Sequence, residues 1–212
     1  MTYTDRREQV HKTALRLSEA GLIRLSAGNL SLRGEDGHIA ITPSGLWYEN
    51  MQPDDIVIID PDGKVVDARP GRVPSSEWAL HTAILAAIPE INAVVHTHSI
   101  YALVFASLVK EIPAISIELI PAGGTIPIAP YATPGTPEVG RGAAAIFQSR
   151  PGLKGLLLQN HGLVTIGETL DRAFEYALDI ETAAQAYHLA LQVGQPVSLT
   201  ADQIDDFHRH HG

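Results

Sequence analysis

The chain contains no cysteine. Disulfide staples, thiolate metal ligands and cysteine nucleophiles are therefore excluded, and a reducing compartment, the cytoplasm, is the expectation. At 212 residues the chain needs no staple, because a chain of this size buries roughly 70% of its unfolded surface. One domain spanning 1–212 is expected. Positive charge is also scarce: 15 Lys and Arg against 24 Asp and Glu leave a net charge of −9. No basic cluster appears, which argues against nucleic acid as a partner. A phosphorylated small molecule is not excluded, since backbone N–H groups and hydroxyls hold phosphate without a basic patch. The opening MTYTDRREQV is charged and lacks the apolar centre of a secretory signal. No repeat, linker or low-complexity segment is seen.

One stretch raises the question of a membrane. Residues 91–109 contain no Asp, Glu, Lys or Arg, and that length can span a bilayer. Asn92, His96, Thr97, His98, Ser99 and Ser107 interrupt it, so a buried strand followed by a buried helix explains it better. No membrane partner is expected.

The remaining pattern is mixed. Residues 5–20 read as an amphipathic helix with Thr4 as N-cap and Gly21 beyond its end. HIAIT (38–42) and IVIID read as strands, the second followed by the turn PDGK. Pro74, Ser75 and Ser76 precede a helical run reaching Pro89, with one of the two serines as N-cap. INAVV reads as a strand and 99–109 as a short buried helix. Residues 112–136, rich in proline and glycine, read as a structured loop with one or two strands. Residues 137–149 look helical, two β-like runs occupy 155–166, and Thr169 caps a helix of about 24 residues that Gly194 and Pro196 end. Strands and helices intermingle without regular alternation, which favours a mixed α/β sheet over a parallel one.

The histidines carry the first chemical signal. In an extended strand residues i and i+2 share a face, so His96 and His98 project together from the end of INAVV. Two imidazoles on one face make half of a zinc site, and a catalytic zinc keeps three protein ligands and one open position. His161, at the end of another apolar run and followed by Gly162, is the best third ligand. The plainer reading is two satisfied histidines at a sheet end. His11, His81 and His188 fall within helices and read as surface or core-edge residues. His208, His210 and His211 read as a frayed polar tail.

Three segments offer anion chemistry. Residues 27–29 and 44–45 expose backbone N–H groups at turns, and Ser75 and Ser76 lie at a helix N-terminus, where free amides and the dipole favour an anion. Glu77 follows at once. It either complements the helix dipole or acts as an acid/base group beside a bound phosphate and metal; the residues alone leave this choice open.

Taken together, GNLS (28–31), TPSG (42–45), PSSE (74–77), HTH (96–98), the AGG, IP and APYATPGT pieces of 122–136, and NHG (160–162) resemble the class II aldolase/adducin family in order and spacing. The nearest pattern is its L-fuculose-1-phosphate aldolase branch, and it covers nearly the whole chain. The resemblance implies an α/β fold, a three-layer α/β/α sandwich around a mixed, largely antiparallel sheet. It implies zinc, or another divalent metal, on His96, His98 and His161, with Glu77 as catalytic acid/base able to approach the metal. It implies a substrate phosphate held by Gly28, Asn29, Ser44, Gly45, Ser75 and Ser76. The implied activity is metal-dependent cleavage of a ketose 1-phosphate to dihydroxyacetone phosphate and an aldehyde, by a homotetramer. The family also holds 4-epimerases, a dehydratase, decarboxylases and a non-catalytic adducin-type scaffold. Two departures stand out: Ile117 occupies a position where the fuculose pattern has tyrosine, and no tyrosine follows Tyr187. A different aldehyde half, smaller or deoxy, is expected.

Overall fold

The computed structural model describes residues 1–211. Helix α1 (Tyr3–Glu19) leads into strands β1 (Gly28–Arg33), β2 (Ile39–Ile41), β3 (Val57–Ile59) and β4 (Val65–Asp67). Helix α2 (Trp78–Ala87), strand β5 (Ala93–Thr97) and helix α3 (Ile100–Leu108) follow. Then come β6 (Ile128–Ala129), α4 (Pro137–Ser149), β7 (Gly155–Leu158), β8 (Gly162–Gly167), α5 (Leu170–Val193) and α6 (Ala201–His211). Among the described residues the strands form one sheet in the order β4-β3-β2-β1-β5-β8-β7-β6. Every neighbouring pair is antiparallel except β6 with β7. The expected α/β sandwich with a mixed, largely antiparallel sheet is what the chain forms.

Side-chain alternation divides the core in two. Leu30, Leu32, Ala40, Ile58, Ala93, Val95, Leu157 and Leu163 face α1, α3 and α5. Ile39, Ile41, Val57, Ile59, Val94, Leu156, Leu158, Val164 and Ile166 face α2 and α4. Strand β5 lies at the centre, with Asn29 opposite His96 on one side and Val164 opposite it on the other. Ala93, Val94 and Val95 are fully buried. Each such valine is worth about 1.5–3 kcal/mol relative to exposure, so the strand that ends at the histidines is firmly held.

Several local expectations shift. Strand β1 alternates polar and apolar residues yet is buried on both faces: Leu30 and Leu32 pack toward α1, while Asn29 and Ser31 occupy its α2-facing positions and bond to polar partners there. Helix α1 begins earlier: Thr2, not Thr4, is its N-cap, in a reciprocal box with Asp5. Helix α2 begins later, with Glu77 in the cap position rather than either serine. A tight turn from Ser75 to Trp78 delays it, as Ser75 O accepts from Trp78 N at 3.0 Å. The C-terminal histidines lie on α6 and not in a frayed tail. Thr200 Oγ accepts from Gln203 N at 3.3 Å, Gln203 Oε1 accepts from Thr200 N at 2.9 Å, and Arg209 pairs with Asp206 one turn on. The run 91–109 is β5 followed by α3, and among the described residues no helix is long and apolar enough to cross a membrane.

Candidate active site

His96 sits on the α2-facing side of β5, and His98 follows just past the strand end. His161 lies in the tight β7–β8 turn, after Asn160 with its left-handed φ of 56°. Gly162 is required there by close approach: a Cβ on it would stand 2.3 Å from the Thr97 carbonyl oxygen. Glu77, at the start of α2, reaches down onto the same point. Its Oε2 is 3.2 Å from His96 Nε2 and its Oε1 is 3.1 Å from His161 Nε2. His96 Nε2 and His98 Nε2 are 3.0 Å apart. The three rings meet edge to face, with centroids 4.7–5.1 Å apart. One donor atom from each of the four residues falls within 4.8 Å of all the others.

This donor set fits a divalent metal ion. His96 Nδ1 lies 2.9 Å from the Leu163 carbonyl oxygen, which only accepts, so Nδ1 carries the proton. In the neutral ring Nε2 is then a lone pair pointing at a carboxylate. Two acceptors at 3.2 Å need a positive charge between them, either an added proton or a metal. Glu77 Oε1 is buried with no hydrogen-bond donor aimed at it, although His161 Nε2 is close. Burial opposes the charge on Glu77, yet the His161 and His96 imidazoles hold its carboxyl well below the usual range. His98 is pushed down to about 4, first by burial and then by the neighbouring His96 and His161, which keeps its lone pair free. Four ligands in a tetrahedron at roughly 2.0–2.1 Å from zinc stand about 3.3–3.4 Å from one another. The observed separations of 3.0, 3.1 and 3.2 Å are close to that spacing. His96, Glu77 and His161 are buried, and His98 is the imidazole on the open side.

In front of the cluster lies a cleft of about 330 Å³ lined by Gly28, Asn29, Ser44, Gly45, Ser75 and Ser76, together with Glu77, His98 and His161. Every residue singled out for phosphate therefore faces one cleft beside the four clustered groups. Among the described residues no Lys or Arg lines it. The backbone N–H groups of Ser44 and Ser75 are spent on the Val73 and Thr42 carbonyls. The Ser75 hydroxyl accepts from Glu77 N at 3.3 Å. Hydroxyls and the turn backbone are left to meet an anion. Gly28, at φ 138°, is irreplaceable by geometry: a Cβ would lie 2.7 Å from the His96 carbonyl oxygen. Asn29 has its side chain turned away from the cleft mouth, donating to Glu77 Oε2 at 2.9 Å.

His81 is the residue that the sequence reading misplaced. It is fully buried rather than a core-edge residue. Its Nδ1 is 2.7 Å from Ser31 Oγ and its Nε2 is 2.5 Å from Asn29 Oδ1. Burial pushes its pKa down to about 3. The available signal was spacing, since His81 lies four residues after Glu77 and so under it on α2. His11 and His188 keep their ordinary roles, bonding the Met51 carbonyl and Gln192.

Comparison with known proteins places the chain in a family. The sequence profile of the Class II Aldolase and Adducin N-terminal domain matches residues 8–188. The 5-methylthioribulose-1-phosphate/5-deoxyribulose-1-phosphate aldolase of Rhodospirillum rubrum is 42% identical over 91% of this chain and 84% of that one. The L-fuculose phosphate aldolase of Escherichia coli is 39% identical over 92% of this chain and 88% of that one. A solved L-fuculose 1-phosphate aldolase superposes with a TM-score of 0.89 at 34% identity, covering 95% and 93% of the two chains. With the profile spanning most of its length and its motifs gathered around one cleft, the chain belongs to the class II aldolase and adducin N-terminal domain family.

Proposed function

We propose that this protein is a zinc-dependent aldolase that cleaves a ketose 1-phosphate to dihydroxyacetone phosphate and an aldehyde. The observation that carries the reading is the convergence of Glu77 and three imidazoles within 4.8 Å at the floor of a hydroxyl-lined cleft. His96, His98 and His161 hold the metal, and Glu77 approaches it when no substrate is bound. A zinc ion there supplies Lewis-acid stabilisation of charge developing on the substrate oxygens. Ser44, Ser75 and Ser76, with the backbone of Gly28, Asn29 and Gly45, hold the phosphate and so fix the reacting carbons. The C3–C4 bond breaks, the C4 hydroxyl proton departs as the aldehyde forms, and the electron pair left on C3 takes up a proton. Glu77 carries that proton, so the proton lost at oxygen balances the one gained at carbon. Its ionised resting state suits it to accept first.

The aldehyde half is deoxy or apolar-ended in this reading. The support is Ile117 in place of the tyrosine of the fuculose pattern, and the name of the 42% identical relative. We further read residues 1–212 as one such domain, cytoplasmic and assembled as a homotetramer. Exposed Ile100, Leu108 and Val109 around α3, and Leu189 and Leu191 on α5, support self-association; light scattering tests it. The activity test is release of dihydroxyacetone phosphate from fuculose, rhamnulose, ribulose and 5-deoxyribulose 1-phosphates, with and without chelator. Chelator-sensitive release, fastest from the 5-deoxy sugar, is expected. Glu77→Gln should keep the metal and lose about 10²–10⁴-fold in turnover. Metal-loaded protein that releases nothing from any of the four overturns the aldolase reading.

A further inference from the structure

Among the buried titratable groups that the proposed chemistry leaves unused, His81 has contacts that run straight to the acid/base residue. His81 is fully buried on α2, one turn after Glu77, and does not line the cleft. Ser31 Oγ, His81, the Asn29 side chain and Glu77 Oε2 form a continuous chain with links of 2.7, 2.5 and 2.9 Å.

The direction of that chain is fixed at its carboxylate end. The Asn29 amide presents its NH₂ to Glu77 Oε2 and donates to it at 2.9 Å. The Asn29 oxygen then faces His81 Nε2, which must carry a hydrogen. His81 Nδ1 is left as a lone pair and accepts the Ser31 hydroxyl proton. A flipped Asn29 would set its oxygen against Oε2 at 2.9 Å, two acceptors in contact. The imidazole N–H facing the Asn29 oxygen at 2.5 Å holds the amide in this orientation from its other end. The low pKa of His81, from burial, agrees with a single neutral tautomer.

We infer that His81 is a positioning residue for Glu77. It acts through Asn29, locking the amide that holds Oε2 in place while Oε1 stays turned toward His161. Outer partners of this kind orient the groups that do chemistry, and their loss typically costs roughly 10–100-fold in activity or metal affinity. The inference rests on the reading that Glu77 moves the proton, and the experiment separates the two.

The experiment compares full-length wild type, His81→Leu, His81→Gln and both changes in an Asn29→Ala background. Leucine keeps apolar volume and removes the donor, whereas glutamine places an N–H near the imidazole Nε2. His81→Leu should lower kcat for dihydroxyacetone phosphate release about 10–100-fold with KM within about twofold. His81→Gln should recover most of it. In the Asn29→Ala background His81→Leu should add less than about twofold, because the path is already cut. Wild-type kcat in His81→Leu, no rescue by glutamine, or equal losses in both backgrounds would overturn the inference. A readout independent of turnover is the ring tautomer, from two-bond ¹H–¹⁵N correlations of metal-free wild type. An Nε2–H ring is expected, and an Nδ1–H ring overturns the relay even if His81→Leu fails to fold. If wild type releases no dihydroxyacetone phosphate, the aldolase reading fails, while the tautomer still judges the relay.

Discussion

Two groups of three histidines occupy this chain, and only one of them converges. His96 and His98 come from the end of β5 and His161 from the β7–β8 turn; His96 Nε2 lies 3.0 Å from His98 Nε2, and the Glu77 carboxylate stands 3.2 and 3.1 Å from His96 and His161 Nε2. His208, His210 and His211 stand close in sequence on the exposed helix α6. There His210 Nδ1 bonds the Asp206 carbonyl at 2.8 Å, and the His211 ring stacks on Phe207. His210 and His211 each bond a carbonyl of their own helix, and His208 meets Phe207 edge to face. The difference teaches that a shared acceptor-only centre needs a rigid frame that holds lone pairs together against their repulsion. Strand β5, fully buried and paired on both sides, is such a frame. A solvated helix surface lets each ring find its nearest carbonyl instead.

The hardest blow to the convergent group is His96→Ala. It removes the one imidazole whose orientation is fixed by a backbone carbonyl, and leaves Glu77 beside a cavity. Metal affinity should fall beyond the roughly 10–100-fold that loss of an outer partner costs. Metal content after dialysis checks this, and full occupancy would remove His96 from the ligand set. The second blow is to the frame. Gly162→Ala places a Cβ 2.3 Å from the Thr97 oxygen and 3.2 Å from His98 Cδ2. The β5–β8 pairing must spread, costing about 1–3 kcal/mol or more. Urea unfolding should show that loss, and a metal titration should show weaker binding without loss of any ligand. A variant with unchanged stability would mean the two strands are looser here than they look.

How much of this was legible in the sequence follows from the same contrast. HTH, NHG and PSSE are short, local and chemically distinctive, so the four converging residues could be named before the fold was known. The sheet class was readable too, because INAVV and GLLLQNHGLVTI carry plain apolar runs. Strand β1 was legible only in part. Asn29-Leu30-Ser31-Leu32 alternates as a strand with one solvated face does, whereas Asn29 and Ser31 are buried and polar for the sake of His81 and Glu77. His81 was misplaced for the matching reason. Its partners lie 50 and 52 residues away on β1, and only pairing of β1 with β5 brings them under α2. The α6 helix was missed because its residues are polar and its capping pair, Thr200 with Gln203, is a weak local signal.

Acid sharpens the comparison at smaller cost. Burial holds His81 down to about 3 and His98 to about 4 in the folded chain, whereas an unfolded histidine titrates near about 6.5. Below that value the unfolded chain binds more protons, so folding stability is present above about pH 6.5 and is lost as pH falls toward 3. Chelator-treated protein unfolded in urea at pH 7, 6 and 5 should show the decline. His81→Gln, which removes one of the two buried groups, should show a shallower one. Parallel slopes would mean that His81 is protonated in the folded chain.

The smallest effect belongs to the other histidine group. Replacing His208, His210 and His211 together by alanine removes three rings that bond or stack within one exposed helix. Alanine favours helix at least as well as histidine, and exposed substitutions of this kind usually shift stability by no more than about 0.5 kcal/mol. Tightly bound metal per chain should therefore equal that of wild type, measured after dialysis against a weak chelator. A drop in the bound metal would place part of the binding on α6, and clustering of histidines in sequence would then matter more than the strand frame.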